Sequence, residues 1–226
     1  MKRHSQLMRR SIERNDLTEA LKNAAVLTSE LRTGQLTPKV RACMLSPTCT
    51  APRPPGHMPP MHHPPPQPAP CQVYYELYME VFDSLGHLEV YFLRLSRGGM
   101  PMADLYHKVQ SAGQAVVRLF LMVLAGSCYV RSGQAPAKVV LRDLLNSVKA
   151  VQHPQRGLFL RYYLSCAMKD KLPDEGSPYE SAAGGTLRAA LGFLLSNFGE
   201  MNRLWVRMQH SSGEGGSTGI GWLLPF

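Results

Sequence analysis

The chain has 226 residues, 44% of them hydrophobic and 18% charged, and its 25 Lys and Arg against 16 Asp and Glu give a formal net charge of +9. This composition excludes a wholly disordered chain, because enough apolar surface is present to offset chain entropy. No apolar run approaches the roughly 20 residues of a membrane helix, and no apolar signal segment follows the basic first residues. We therefore predict a cytoplasmic location.

Residues 1–39 are predicted to form an N-terminal helical segment. Asp16 and Glu19 have the spacing of a helix N-cap followed by a carboxylate, and an apolar face follows at Leu17, Leu21, Ala24, Leu27 and Leu31. Residues 1–41 hold nine Lys and Arg against four Asp and Glu. A solvated basic face, or one attracted to an acidic partner or an anionic lipid, explains this excess.

Residues 40–72 are predicted to form a Pro/His-rich disordered insert, since eleven of the eighteen prolines lie between Pro47 and Pro70. The insert also contains the one cluster of metal-ligand residue types: Cys43, Cys49, His57, His62, His63 and Cys71. Their spacing fits no standard zinc pattern. We expect no metal and no cofactor.

Residues 73–210 show helical periodicity almost throughout. Apolar stripes run over 74–95, 105–123, 141–151 and 157–164, and the last comprises Leu187, Leu191, Leu194, Phe198, Met201, Leu204, Trp205 and Met208. Six or seven helices and no strand predict an all-α chain, either a closed bundle or an open stack of helical hairpins. Residues 211–226 are predicted to be a Gly/Ser-rich disordered tail.

Catalytic motifs are absent from the sequence, which predicts a protein that is not an enzyme. It contains no phosphate-binding Walker loop, no His-Glu-x-x-His and no Gly-x-Ser-x-Gly. An odd number of cysteines, five, favours reduced thiols, and Cys128 and Cys166 have apolar neighbours typical of a core. His153, which precedes Pro154 at a helix junction, is expected to bond a loop carbonyl.

Arg118 is the only charged residue between Val109 and Val130. A guanidinium keeps its proton in a protein, so it needs a carboxylate or a surface. Arginine is enriched at interface hot spots, whereas an intramolecular ion pair or a side chain that reaches out to solvent is the structural alternative. The sequence leaves these alternatives open.

Several segments together resemble the vacuolar protein sorting-associated protein 35 family, the large α-solenoid subunit of the retromer coat. They are Glu30-Leu31-Arg32-Thr33, Tyr74-Tyr75-Glu76-Leu77-Tyr78-Met79, Leu88-Glu89-Val90-Tyr91, Ala103-Asp104-Leu105-Tyr106, Val151-Gln152-His153-Pro154, Arg156-Gly157-Leu158-Phe159-Leu160-Arg161, Leu172-Pro173-Asp174-Glu175-Gly176, Asn197-Phe198, Glu200-Met201-Asn202 and Leu204-Trp205-Val206-Arg207-Met208-Gln209-His210. The match covers residues 5–39 and 73–210, which correspond to the N-terminal part of that subunit.

The resemblance implies a non-enzymatic scaffold, an α-solenoid of stacked helical hairpins (HEAT/armadillo-like). A Pro-Arg-Leu-Tyr-Leu element in the family binds the arrestin-like retromer subunit, vacuolar protein sorting-associated protein 26. The matching positions, extended by one residue, are Val117, Arg118, Leu119, Phe120, Leu121 and Met122. A late-endosomal Rab GTPase, sorting nexins and cargo tails are further partners that the family implies, with no nucleic acid and with only peripheral membrane contact through partners.

Three departures from the family pattern accompany the match. The chain begins partway through what looks like the family's first helix, the insert has no family counterpart, and the sequence diverges after His210. We interpret the insert and the tail as translated intron sequence or gene-model errors. The alternative to the retromer interpretation is a basic helical module that binds nucleic acid or anionic lipid directly.

Overall fold

A computed structural model of the chain describes residues 2–31, 70–181 and 185–213. Nearly all of the insert predicted over 40–72 and most of the tail predicted over 211–226 lie outside these residues. The helix after the insert begins at Pro70, and the last helix runs to Gly213. Both helices therefore extend a few residues beyond the predicted boundaries of the 73–210 region.

Eight α-helices lie within the described residues. They are α1 (Lys2–Glu13), α2 (Leu17–Ser29), α3 (Pro70–Arg97), α4 (Met102–Gln110), α5 (Ala115–Arg131), α6 (Ala137–Val148), α7 (Pro154–Met168) and α8 (Leu187–Gly213), with a 3-10 turn at Lys169–Lys171. The described residues contain one isolated antiparallel bridge, between Ser181 and Gly185, and no strand. The prediction of an all-α chain is confirmed.

The chain divides into two compact units, Met1–His87 and Leu88–Phe226, and the division falls within α3. In the first unit α1 packs against α2. The side chain of Asp16 accepts a hydrogen bond from the Glu19 amide at 3.1 Å, which confirms the predicted N-cap of α2. The Ser5 and Ser84 hydroxyls, 3.0 Å apart, join α1 to α3.

In the second unit the helices pack mainly against neighbours in the chain. Consecutive helices contact each other from α4 to α8, and α5 also contacts α7, as α6 contacts α8. Contacts between consecutive and next-but-one helices are typical of stacked helical hairpins, because each repeat packs only on its neighbours. The choice that periodicity left open is thereby resolved in favour of an α-solenoid fragment.

The apolar spacing from Leu105 to Val123 predicted one continuous helical stretch, and the structure corrects this. A loop at 111–114 separates α4 from α5, because the chain turns at Gly113 while the apolar spacing happens to continue across the turn. The predicted six or seven helices become eight because this stretch contains two helices and because the segment predicted as helical over 1–39 contains two, α1 and α2. Apolar periodicity gave no sign of α1, because its buried residues, Ser5 and Met8, make no visible apolar stripe.

The last helix buries a face that matches its apolar stripe only in part. Ala190, Phe193 and Leu204 are 3–4% exposed, whereas Leu191 is 48% and Phe198 is 52% exposed. The buried face is the one that meets α6 and α7. Leu191 and Phe198 belong to the predicted apolar stripe and are exposed, whereas Leu204 of the same stripe is buried, so the stripe coincides with the buried face only in part.

The start of α7 combines three local features. The Arg156 amide donates a hydrogen bond to Nδ1 of His153 at 3.4 Å, so His153 caps this helix, a role that the sequence did not predict. Pro154 follows in the first turn, where its missing amide proton costs little. At Gly157 a Cβ would lie 2.8 Å from the Val151 carbonyl oxygen and 2.9 Å from Leu204 Cδ1, so glycine permits the close approach of α8.

Candidate partner-binding site

Helix α5 forms the centre of the second unit. Every residue from Leu119 to Cys128 is buried, and the helix packs against α4, α6, α7 and the 3-10 turn. A helix that is apolar on nearly all sides belongs in a core. Its position is therefore set by packing around its whole circumference.

Five of the six residues predicted to bind a partner lie inside this core. Val117, Leu119, Phe120, Leu121 and Met122 are between 1% and 6% exposed. The Phe120 ring lies 5.2 Å, centroid to centroid, from the ring of Tyr163 on α7. Such burial leaves these five side chains little surface for a partner, and their packing fixes the helix that carries Arg118.

Arg118 is the partly exposed member of the set. Its amide donates to the Gln114 carbonyl at 2.8 Å, in the first turn of α5. That turn contains no acidic residue, and Gln114 provides no side-chain cap. A cation near the positive end of a helix dipole is locally unfavourable, so this end of α5 departs from the usual rules of helix stability.

No carboxylate lies within 4 Å of the Arg118 guanidinium in the described part of the chain. An intramolecular ion pair, one of the alternatives that the sequence left open, is therefore not formed with any described residue. The exposed residues Gly113 to Ala115 border Arg118 at the same end of the helix. A charged, hydrogen-bonding and accessible group thus lies at the edge of a rigid apolar core.

A second arginine, Arg161 on α7, was not singled out by the sequence analysis and has a different environment. It is 1% exposed, and its Nη1 donates to Asn197 Oδ1 at 3.3 Å. Asn197 in turn donates to the Arg161 carbonyl at 3.1 Å and to Ser165 Oγ at 2.9 Å. Burial lowers the pKa of Arg161, and the charge of Glu200 opposes that shift. This network holds α7 to α8 and offers a partner almost no surface.

Glu89 and Lys171 form a partly buried ion pair, and Glu89 also contacts α5 through Ser127. The Lys171 Nζ lies 3.5 Å from Glu89 Oε1 and donates to the Ala167 carbonyl at 2.7 Å. The Ser127 hydroxyl of α5 donates to Glu89 Oε1 at 3.3 Å. Burial, with a smaller contribution from Glu89, raises the pKa of Cys128 to about 12, so this thiol is not a nucleophile at neutral pH.

Metal-ligand residue types and the lining of one cleft bear on whether the described residues form a catalytic site. No three His, Cys, Asp or Glu residues among 2–31, 70–181 and 185–213 are grouped to hold a metal ion. A cleft of about 350 Å³ beside the α5–α6 turn is lined by Gln134, Pro136, Pro178, Tyr179 and other small or apolar residues, without a carboxylate, histidine or lysine. This cleft offers no acid–base pair. None of the described helices has the length and apolar character needed to cross a bilayer.

Comparisons with known proteins agree on one family. The family model described as vacuolar protein sorting-associated protein 35 matches residues 67–217. Vacuolar protein sorting-associated protein 35B of Arabidopsis thaliana is 43% identical over 203 residues, 90% of this chain and 21% of the relative. The protein 35 of Dictyostelium discoideum is 40% identical over 205 residues, 91% of this chain and 22% of the relative. The chain thus spans about a fifth of the length of these curated relatives.

Proposed function

Since the chain belongs to the vacuolar protein sorting-associated protein 35 family, we propose that it acts in vacuolar protein sorting as a scaffold subunit of the retromer coat. Binding, and not bond-making, is the mechanism. The absence of an acid–base pair at the described cleft and the stack of tightly packed helices both support a structural role. In this role the chain contributes a rigid surface that a partner recognises.

The proposed partner at α5 is the arrestin-like retromer subunit. The observation that carries this assignment is the position of Arg118, a partly exposed cation with no described carboxylate within 4 Å, at the start of a helix whose middle is buried in the core. An accessible arginine held by a rigid support is typical of a binding hot spot. Its planar donors match a carboxylate of the partner in two parallel hydrogen bonds.

The helix start adds to the positive potential that such a carboxylate would meet. The first amides of α5 have no side-chain acceptor at the cap, and the helix dipole places partial positive charge at this end. A partner's acidic group would therefore offset the repulsion between the Arg118 charge and the positive end of the helix dipole. The five buried residues around Arg118 keep the helix in place while this occurs.

The same proposal extends to transport. Through the arrestin-like subunit the chain would join endosome-to-Golgi retrograde transport and cargo recycling, with a late-endosomal Rab GTPase, sorting nexins and cargo tails as further partners. It would act in the cytoplasm and peripherally on endosomal membranes. These roles rest on the family and not on a particular contact in the structure.

Replacement of Arg118 tests the docking site. Arg118→Asp should abolish co-purification with the arrestin-like subunit, because the change removes an attraction and places a like charge against the partner's acidic group. The far-UV circular dichroism should keep its helical signal, since the side chain makes no described ion pair.

The matched control is Arg142→Asp, which reverses an exposed cation on α6. We expect this variant to bind normally. Arg118→Lys separates charge from geometry, because lysine keeps the charge and loses the paired donors. Undiminished binding by Arg118→Asp, or equal losses in Arg118→Asp and Arg142→Asp, would contradict the assignment.

A further inference from the structure

Helix α1 and the residue after it carry five exposed cations: Lys2, Arg3, Arg9, Arg10 and Arg14. At about 100° of rotation per residue, these five project within an arc of about 140°. The Arg14 amide donates to the Arg10 carbonyl at 3.1 Å, so the helical geometry still holds at the last of them. We call this set the α1 cationic face.

The opposite side of α1 is anchored in the first unit. Met8 is fully buried, and the Ser5 hydroxyl lies 3.0 Å from that of Ser84 on α3. This anchoring holds the cations on the solvent side. The other exposed residues of α1 are Gln6 and Glu13, so the face has no exposed apolar or aromatic side chain.

The charges of the α1 cationic face are not neutralised by described residues. None of the five cations lies within 4 Å of a described carboxylate, whereas Lys22 on α2 is paired with Glu19 at 2.8 Å. Glu13 is the one acidic residue of α1, and at the same rotation it projects within the arc, so the face has five cations and one carboxylate. The face therefore carries a net positive potential, which draws an anionic surface towards it.

We propose that the α1 cationic face binds the anionic surface of a lipid bilayer directly. Dense, laterally mobile headgroups allow each of the five cations to meet a negative charge without a shaped pocket. Because the face lacks apolar side chains, the contact is electrostatic adsorption and not insertion of the helix into the bilayer. Single-stranded nucleic acid fits less well, since no exposed aromatic residue of α1 is available for base stacking.

This contact goes beyond the proposed function, in which the membrane is reached through partners. It does not require Arg118 or the arrestin-like subunit. The two cationic regions can therefore be tested independently in the same full-length chain.

Vesicle sedimentation of the full chain tests the proposal. We expect binding to phosphatidylcholine vesicles that contain phosphatidylserine, no binding to pure phosphatidylcholine, and a loss of binding as salt rises. Each Lys or Arg near an anionic surface contributes about fivefold in affinity, so Arg3→Glu with Arg10→Glu should weaken binding by about 25-fold or more.

The matched control is Arg142→Glu with Lys149→Glu, two exposed cations of the α6 region with the same sequence spacing. It changes the net charge equally and should retain most of the vesicle binding. Equal losses in the two double variants, or no loss in the α1 variant with its helical signal intact, would overturn the proposal. So would binding to pure phosphatidylcholine, or duplex DNA that displaces the chain from vesicles and depends on the same two arginines.

Discussion

The two cationic regions of the molecule, the start of α5 and the face of α1, differ in what surrounds their charges. Arg118 is the single cation at the start of a helix whose residues 119–128 are all buried. Helix α1 carries its cations above only two buried residues, Ser5 and Met8. A single cation on a tightly packed helix suits specific recognition of a protein partner. Several cations on a less buried helix suit binding to an anionic surface without a defined pocket.

The largest loss of stability should come from a substitution in the α5 core, which supports Arg118 but not the α1 cationic face. Phe120→Ala should lower the free energy of unfolding by about 3–5 kcal/mol, because it leaves a cavity beside Tyr163 in a fully buried site. Urea unfolding followed by far-UV circular dichroism measures this loss. Arg118 would lose its support although its own side chain is unchanged.

The control for this variant is Val139→Ala, at a position 56% exposed on α6. Its free energy of unfolding should stay within about 0.5 kcal/mol of the parent chain. If the two variants proved equally stable, the interpretation of α5 as a packed support for Arg118 would be wrong.

A smaller effect should appear at the anchor of α1. Ser5→Ala leaves the Ser84 hydroxyl buried without its partner, and should cost about 1 kcal/mol. Hydrogen exchange of the α1 amides measures the loss. The double variant with Ser84→Ala removes both hydroxyls and should recover most of the protection, because no buried polar group is left unsatisfied. Equal costs that simply add in the double variant would show that the hydroxyl pair does not anchor α1.

The contrast between α1 and α5 also explains how far the sequence could predict the fold. Apolar periodicity identifies a helix when its buried side is apolar, as in α5. It missed α1, whose buried side is a serine and a methionine, although the cations that share one face at helical spacing were a usable signal. The Asp16 cap was predictable because capping depends on neighbouring residues alone.

The candidate site was predictable only in part for the same reason. The isolation of Arg118 in an apolar run was visible in the sequence, but the loop before α5 that exposes it was not, because the apolar spacing continues across Gly113. The network of Arg161 with Asn197 joins residues 36 positions apart. Such pairs depend on tertiary packing, which no local pattern specifies. The apolar stripe of α8 coincides with its buried face only in part, because periodicity reports that a face is apolar and not whether it is covered.

The smallest expected effect is a pH-dependent change in stability at His153, which should leave the charges of both cationic regions unchanged. Neutral Nδ1 of His153 accepts the Arg156 amide, and burial, with the charge of Arg156, lowers the pKa of this imidazole from 6.5. The unfolded chain then binds the proton more readily than the folded chain, so the contribution is complete above pH 6.5 and is lost as the pH falls through the lowered folded pKa. Because the bond is 3.4 Å long and exposed, we expect only a few tenths of a kcal/mol.

The comparison of the parent chain with His153→Asn isolates this contribution, because asparagine also caps a helix but does not titrate. Urea unfolding at about pH 7.5 and at about pH 5 should show the parent chain losing stability relative to the variant as the pH falls. Arginine and lysine keep their charge over this range, so vesicle binding through α1 and partner binding through Arg118 should show no difference between the parent chain and the variant. If the difference in stability between the parent chain and the variant stayed constant with pH, or favoured the parent chain at low pH, His153 would not be a titrating cap. The proposals for the two cationic regions would be unaffected.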